Sequence, residues 1–541
     1  MNQTPSPVRL GGPVAVYALV LVSLTQAVSL MDRQILAILL PRIKADLRVG
    51  DAEMGLLYGT VFALFYAVFS LPLGRLADGW VRTRLLSIAI VVWSAMTALG
   101  GFASSFTTLA LSRLGVGIGE ASAQPAGMSL LADSFPKSAR GTIASVLAAG
   151  VSLGLGGALL LGGAVVAWWD ASWPNAVGAP LGLRAWQAAF LIAAIPGLVL
   201  GLLLAGLPEP VRGAADGIAS PPDPAPFKAS WLTLYAILPI ANWFYLAGKR
   251  APARTWAGNL AGIALIALAA WALTAWTNAI RPPMGVSLKL GGIELGGNAL
   301  QWLISGIGAV IVLNWLQSLR VQDKPAFALI GASTATWLTT AIAAIQTLVN
   351  YAVMGWTPTY LTRHFHLSAL EVGQQFGVLS AVIGIIGPLV AGPVSDWIGQ
   401  RLGGGRLYVT LISLGLSPLP GILAYRAETL AGFYLYFSVY SFLLTMWMPP
   451  IYATFLDLVL PRMRGSVMSF YIMTMTIVGL GTGPYLIGLM SDINGGDIAS
   501  AILTLYWLSP VLVILTIALI FAFPRHEAAM LDRARAAGEP I

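Results

Sequence analysis

Gly74-Arg-Leu-Ala-Asp78 and Gly392-Pro-Val-Ser-Asp396 stand 318 residues apart, each at the end of a long apolar run. A second pair of stretches follows them. Asp133-Ser-Phe-Pro-Lys-Ser-Ala-Arg-Gly-Thr-Ile-Ala-Ser145 matches Asp457-Leu-Val-Leu-Pro-Arg-Met-Arg-Gly-Ser-Val-Met-Ser469. Their Asp, Arg, Gly and final Ser stay in register at an offset of 324, which Pro125 and Pro449 share. Agreement at the same places relative to the apolar runs marks an internal duplication, the kind that leaves weak symmetry in a sequence.

The runs themselves are long. A membrane-spanning helix needs roughly 20 mostly apolar residues. Such runs lie near 14–41, 54–77, 84–103, 106–131, 141–168 and 185–207, and again near 327–361, 370–395, 406–425, 429–456, 466–490 and 500–523. They make two groups of six. Of the 541 residues, 57% are hydrophobic and 10% are charged, where an ordinary soluble domain carries roughly 25% charged residues. A chain of mean hydropathy +0.80 cannot hide its apolar surface in a water-soluble core. Lipid is therefore part of its solvent.

Between the two groups the chain turns polar and proline-rich from Pro208 to Pro226, as a linker does. Three apolar stretches follow, near 231–248, 255–280 and 299–320. If each group of six starts and ends on the same side, an even number of the three crosses. The first has Lys228 before it and Lys249, Arg250 and Arg254 after it, the pattern of an interfacial helix on the cytoplasmic face. The other two form an inserted pair. Between them, Val286-Ser-Leu-Lys-Leu-Gly-Gly-Ile-Glu-Leu295 alternates around Gly291-Gly292, which fits a short outer β-hairpin. The reading is an all-α integral membrane protein of 14 spans. Its parts are a six-helix bundle (1–210), a linker with interfacial helix and inserted pair (211–326), a second six-helix bundle (327–524) and a tail (525–541). Most of the 30 Lys and Arg fall on one set of loops, which puts both termini in the cytoplasm of a cell (inner) membrane protein.

The chain has no cysteine and three histidines. That excludes disulfides, thiolate zinc sites and cysteine nucleophiles. His364 and His366 are too few for a metal centre, so no metal and no cofactor is expected. The net charge of +8 reflects the loop bias and not a nucleic-acid partner.

Gly74-Arg-Leu-Ala-Asp-Gly-Trp-Val-Arg-Thr-Arg84 resembles the signature loop between helices 2 and 3 of the major facilitator superfamily. Two parallel six-helix halves are that family's architecture. The resemblance implies a transporter working by alternating access, whose loop Asp and basic residues hold the halves together at the cytoplasmic gate. Gly74, Asp78, Arg82 and Arg84 match those positions, with Asp396 and Arg401 as their counterparts in the second half. Trp80 and Thr83 depart from the commonest pattern.

Four ionisable residues fall inside spans of the first half: Asp32, Arg33, Arg113 and Glu120. Each costs at least ~2.5–3.5 kcal/mol to insert at mid-membrane. Arg113 and Glu120 are seven apart, two helical turns, and share a face. The duplication supplies a control, because Asp32 and Arg33 fall on Asn350 and Tyr351, and Arg113 and Glu120 on Phe437 and Leu444. The fold does without these charges in its second half, which argues for function in the first. A static, mutually neutralising network is the blander reading.

Met31-Asp-Arg-Gln-Ile-Leu-Ala-Ile-Leu-Leu-Pro-Arg-Ile-Lys-Ala-Asp46, Arg113-Leu-Gly-Val-Gly-Ile-Gly-Glu-Ala121 and Tyr351-Ala-Val-Met-Gly-Trp-Thr-Pro-Thr-Tyr-Leu361 resemble the spinster branch of the superfamily. The inserted 211–326 region departs from its twelve-helix pattern. This resemblance implies a lysolipid-type or other amphipathic substrate, and proton coupling through Asp32, Arg33 and Glu120 with Arg113 as partner. The expected partners are a small-molecule or lipid-like solute, protons and membrane lipids, with the chain working as a monomer. Candidate cavity residues are Tyr58, Phe62, Gln346, Asn350, Tyr351, Tyr440 and Trp447. The rivals are a fourteen-helix permease for peptides or muropeptides, a transporter-fold sensor, and a membrane enzyme, for which no nucleophile, metal cluster or cofactor motif shows.

Overall fold

Backbone N–H and C=O groups in hydrocarbon must be satisfied within their own segment, so long apolar runs become helices. The computed structural model describes residues 10–47, 62–218, 223–280, 288–290, 293–367 and 369–540. The first half runs through α1 (Pro13–Leu47), α2 (Phe62–Gly79), α3 (Arg82–Gly101), α4 (Phe106–Glu120), α5 (Ala123–Ser134), α6 (Arg140–Ser172) and α7 (Ala185–Ala205). The inserted region holds α8 (Pro226–Ile237), α9 (Ala241–Gly248), α10 (Ala253–Ile280), β1 (Leu288–Leu290), β2 (Ile293–Leu295) and α11 (Gly297–Gln322). The second half contains α12 (Thr334–His364), α13 (Val378–Gly399), α14 (Arg406–Leu416), α15 (Pro418–Tyr425), α16 (Leu430–Thr445), α17 (Met448–Asp457) and α18 (Arg464–Met475). It ends with α19 (Gly481–Ile493), α20 (Ile498–Leu505), α21 (Ser509–Ala528) and α22 (Met530–Ala536). Hydroxyls start several of these. Ser105 accepts the Thr108 N–H at 3.2 Å before α4, and Thr429 accepts the Gly432 N–H at 3.1 Å before α16, satisfying donors that a helix start leaves open.

Among the described residues, 12 helical stretches are long and apolar enough to cross a membrane. Two further stretches complete the first half. The described part of α2 is 18 residues long, and α4 and α5, broken at Ala121 and Ser122, are 15 and 12. Fourteen spans require these two as well. The 231–248 stretch is not one helix: α8 and α9 meet at 119°. The strands of the expected hairpin pair antiparallel, with Leu288 opposite Leu295 and Leu290 opposite Ile293; Gly291 and Gly292 lie outside the described residues.

The halves meet along two seams, α6 against α13 and α2 against α18. One apolar core crosses both halves at the end where Asp78 and Asp396 lie, joining Leu71 and Leu76 of α2 to Val467 and Phe470 of α18. Away from that end the described cores are separate. One holds Ile35, Trp186 and Phe190 of the first half. The other holds Tyr360, Tyr425, Phe433 and Phe437 of the second. The halves are thus joined at one end, called here the gate end.

The insertion is fastened to both halves. Ser230 of α8 donates to the Pro72 carbonyl of α2 at 2.7 Å. Gln301 of α11 donates to the Gly481 carbonyl at 2.7 Å, and Trp315 stacks on Phe470 at 5.3 Å. Inside the insertion, Asn259 of α10 donates to Asn314 at 2.8 Å and Gln317 at 2.7 Å on α11, and accepts from Trp243 of α9 at 2.9 Å.

Candidate functional site

At the gate end each half presents an aspartate to the start of a helix in the other. Asp78 accepts the Gly465 N–H at 2.7 Å and the Ser466 N–H at 2.9 Å, with the Ser466 hydroxyl as third donor. Asp396 accepts the Gly141 N–H at 3.1 Å, the Thr142 N–H at 2.8 Å and the Thr142 hydroxyl at 2.9 Å. The N-terminus of a helix carries unpaired N–H donors and partial positive charge. Both carboxylates therefore form charge-assisted bonds across the seam. Glycine makes the approach possible. A Cβ on Gly74 would lie 2.7 Å from the Gly465 carbonyl oxygen, and one on Gly392 would lie 2.6 Å from that of Gly141.

Arginines form a second tier with the same symmetry. Arg82 pairs with Asp133 at 2.5 Å, and Arg406 with Asp457 at 2.5 Å. Arg464 crosses to Asp133 at 2.7 Å, and Arg140 crosses to Asp457. The linker adds Glu209, 2.6 Å from Arg82, and Asp216, which bonds both Arg140 and Arg464. Burial works to raise the Asp216 carboxyl, but Arg464 and Arg140 hold it below the ordinary aspartate value.

Two expected gate residues are corrected. Arg84 is exposed. Arg401 lies over the ring of Trp397 in its own half, 3.8 Å from the centroid. The arginine that serves Asp396 is Arg406, at 2.9 Å. The loop through Gly403 and Gly404, the latter at φ +71°, is longer than its counterpart in the first half, and it brings Arg406 into register six residues later. Arg82 stands in the cluster without touching Asp78. Sequence reasoning left out Asp133, Arg140, Asp457, Arg464 and Arg406. The signal was present: an offset of 324 maps Arg82 onto Arg406 just as it maps Arg140 onto Arg464.

The four membrane charges come together in the first half. Arg33 of α1 donates to Glu120 of α4 at 2.6 Å, and Ser29 donates to the same oxygen at 2.9 Å. Asp32 accepts from Thr97 of α3 at 3.3 Å. Arg113 reaches the backbone carbonyl of Asp32 at 3.1 Å and lies over Phe190. The network is thus one ion pair, Arg33–Glu120, beside a looser Asp32–Arg113 couple. One oxygen of each carboxyl and two nitrogens of Arg113 have no partner among the described residues. Asp32 and Glu120 are fully buried, whereas the Arg33 side chain is 25% exposed. Arg33 is therefore the edge of the network. Its guanidinium lies 4.7 Å from the Phe62 ring centroid and 4.5 Å from that of Tyr66, a geometry that binds a cation to an aromatic face.

The remaining cavity candidates divide by exposure. Tyr351, at 41% exposed, and Asn350 keep accessible surface on α12, and Tyr351 is within electrostatic reach of Arg33 and Tyr66. Tyr440 and Trp447 are enclosed, the first among Phe437 and Tyr506, and do not line an open cavity. Gln346 is buried with an unpaired side-chain nitrogen. Tyr58 lies outside the described residues.

The chain is similar in sequence and fold to known membrane transporters. An "MFS-type efflux pump" of Mycolicibacterium smegmatis (strain ATCC 700084 / mc(2)155) is 24% identical over 491 residues, 90% of this chain and 87% of that one. The sphingosine-1-phosphate transporter SPNS2 of Danio rerio is 32% identical over 199 residues, 36% of each chain. A solved bacterial homolog of the human lysosomal transporter spinster, inward-facing and unoccupied, shares the fold. Its TM-score is 0.53 at 20% identity, over 97% of this chain and 99% of that one. The family model described as Major Facilitator Superfamily matches residues 22–345 and 320–482. With most of its length matched, the chain belongs to the major facilitator superfamily of membrane transporters.

Proposed function

We propose that this chain is a proton-coupled secondary transporter of an amphipathic, lipid-like organic solute, a lysolipid or a drug-like molecule. The observation that carries the proposal is the one-sided charge network. Asp32, Arg33, Arg113 and Glu120 are gathered behind a single accessible guanidinium, and the second half holds nothing equivalent at those positions. Burying a carboxyl without a full set of partners is costly, and a proton on Asp32 or Glu120 lowers that cost. An anionic group of the solute competes with Glu120 for Arg33, and Tyr351 offers aromatic surface to its apolar part. Release of Glu120 favours its protonation, which links solute to proton. Likeness to a sphingosine-1-phosphate transporter and to an efflux pump supports this solute class.

In this reading the gate end is cytoplasmic, as are both termini, and the membrane is the cell (inner) membrane. Positive charge gathered on that side supports the orientation. The closed gate then makes this an outward-facing state of a 14-span monomer. Transport into liposomes driven by a pH gradient, for Glu120→Gln and Asp32→Asn, tests the proposal. Loss of gradient dependence in either variant supports it, and normal dependence in both defeats it. A labelled lysolipid run beside a labelled peptide separates it from a peptide permease.

A further inference from the structure

The duplication brings four arginines to the seam: Arg82 and Arg140 from the first half, Arg406 and Arg464 from the second. Between them the repeats place Asp133 and Asp457 as shared counter-ions; Asp396 adds a bond to Arg406 alone at 2.9 Å, and Asp78 is engaged with a helix start. Asp133 serves both Arg82 and Arg464, and Asp457 serves both Arg140 and Arg406. Arg140 and Arg464 are equivalent in the two repeats and both are buried. Like charges brought together out of water repel unless something lies between them.

The residue between them belongs to neither repeat. Asp216 accepts two bonds from Arg140 at 2.8 Å each and another from Arg464. The linker is shaped to put it there. Gly213 and Gly217 flank the turn at φ +79° and +66°, a conformation other residues adopt only at a cost. The Gly213 N–H donates to Asp133 at 3.0 Å. Arg212 donates to the carbonyls of Ala77 at 2.8 Å and Trp80 at 3.1 Å, and Glu209 holds Arg82. These anchors all lie on the first half. The linker therefore rides with that half, and Asp216 is its ionic reach across to the other.

We propose that Asp216 is a gating residue of the transport cycle. It is a linker carboxylate that latches the gate by bridging the two repeat arginines, and it stays with Arg140 when the halves part. Closing the gate brings Arg464 to a carboxylate already in place. Opening it strips Arg464 of Asp133 and Asp216 together, while Arg140 keeps a counter-ion after losing Asp457. The proposal rests on the two-state movement of the halves and holds whatever solute is carried.

The absence of native cysteine allows a direct test. Spin labels on Arg84→Cys and Arg401→Cys, both on the gate end and outside the ion-pair cluster, report the separation of the halves in lipid nanodiscs by pulsed electron resonance. Asp216→Asn should shift the ratio of long to short distances by about tenfold or more, the range of a lost charge-assisted bond. Asp216→Glu should restore the parent distribution. Asp223→Asn, which removes a linker acid whose ion-pair partner among the described residues is Arg75, should leave it unchanged. A parent-like distribution for folded Asp216→Asn, or an equal shift from Asp223→Asn, overturns the proposal. If Asp216→Asn does not give folded protein, Gly213→Ala keeps the carboxylate but strains the turn that presents it. The same shift is then expected, and its absence is equally decisive.

Discussion

Asp78 and Asp396 occupy the same place in the two repeats, and each caps the first turn of a helix in the opposite half. The relationship makes a reciprocal prediction. Asp78→Asn should speed hydrogen exchange of the amides at the start of α18. Asp396→Asn should speed exchange at the start of α6. A charge-assisted bond is worth about 1.5–3 kcal/mol, so increases of roughly ten- to a hundredfold are expected. Faster exchange in the mutated half alone would contradict the pairing.

The glycine contacts should fail differently. Gly465→Ala places a Cβ 2.5 Å from the Gly74 carbonyl oxygen, and Gly392→Ala one 2.6 Å from that of Gly141. Both variants should bind solute yet turn over at least about tenfold more slowly, because the gate no longer shuts. Gly248→Ala, with nothing within 4 Å of its Cβ, should behave as the parent. Binding and initial-rate measurements on the three variants decide the point.

Arg33 should be worth most to stability when Glu120 is charged. Arg33→Met leaves that carboxylate buried without its ion-pair partner, a loss of about 3–5 kcal/mol, and the melting temperature should fall accordingly. The double variant Arg33→Met/Glu120→Gln should recover much of it. Simple addition of the two single effects in thermal unfolding would show that the pair is not coupled.

Asp216 gives a pH test. Its carboxyl is held below the ordinary aspartate value by Arg464 and Arg140 against the effect of burial. A depressed value stabilises the closed form above the unfolded value of about 3.9, and that contribution is lost as pH falls through the depressed value. The melting temperatures of the parent and Asp216→Asn should therefore differ at pH 7 and converge below about pH 4. A difference that persists at low pH would assign the effect to packing.

Asn259 should hold the insertion together without serving transport. Asn259→Ala leaves the side chains of Asn314, Gln317 and Trp243 short of partners. A polar contact between membrane helices averages about 0.6 kcal/mol, so a loss of roughly 1–2 kcal/mol is expected with turnover unchanged. Parallel melting and transport assays read the two effects apart.

Much of the gate was legible because duplication writes each residue twice. Gly74 and Asp78 point to Gly392 and Asp396 by position alone. The repeat changes its offset from 318 to 324 within the loop after α13; the earlier offset carries Arg82 onto Gln400, beside Arg401, whereas the later one carries it onto Arg406. Asp216 was hidden for the opposite reason. It lies in a linker with no second copy, and its role depends on two arginines 76 and 248 residues away. The membrane charges stood out because hydrocarbon makes them expensive. Tyr440 and Trp447 did not separate from exposed aromatics such as Tyr351, because an aromatic side chain suits a packed interior as well as an open surface.

Backbone meets backbone where Gly74 faces Gly465 and Gly392 faces Gly141. Side chains can flex to fill a narrowing gap, but peptide groups cannot. A barrier built this way has no cushioned, half-shut position, since small displacements cost it the Asp78 and Asp396 bonds together. Such a closure resists leak. If the chain works as proposed, ions and water find no loosely sealed intermediate, and a gradient across the membrane is kept between transport cycles.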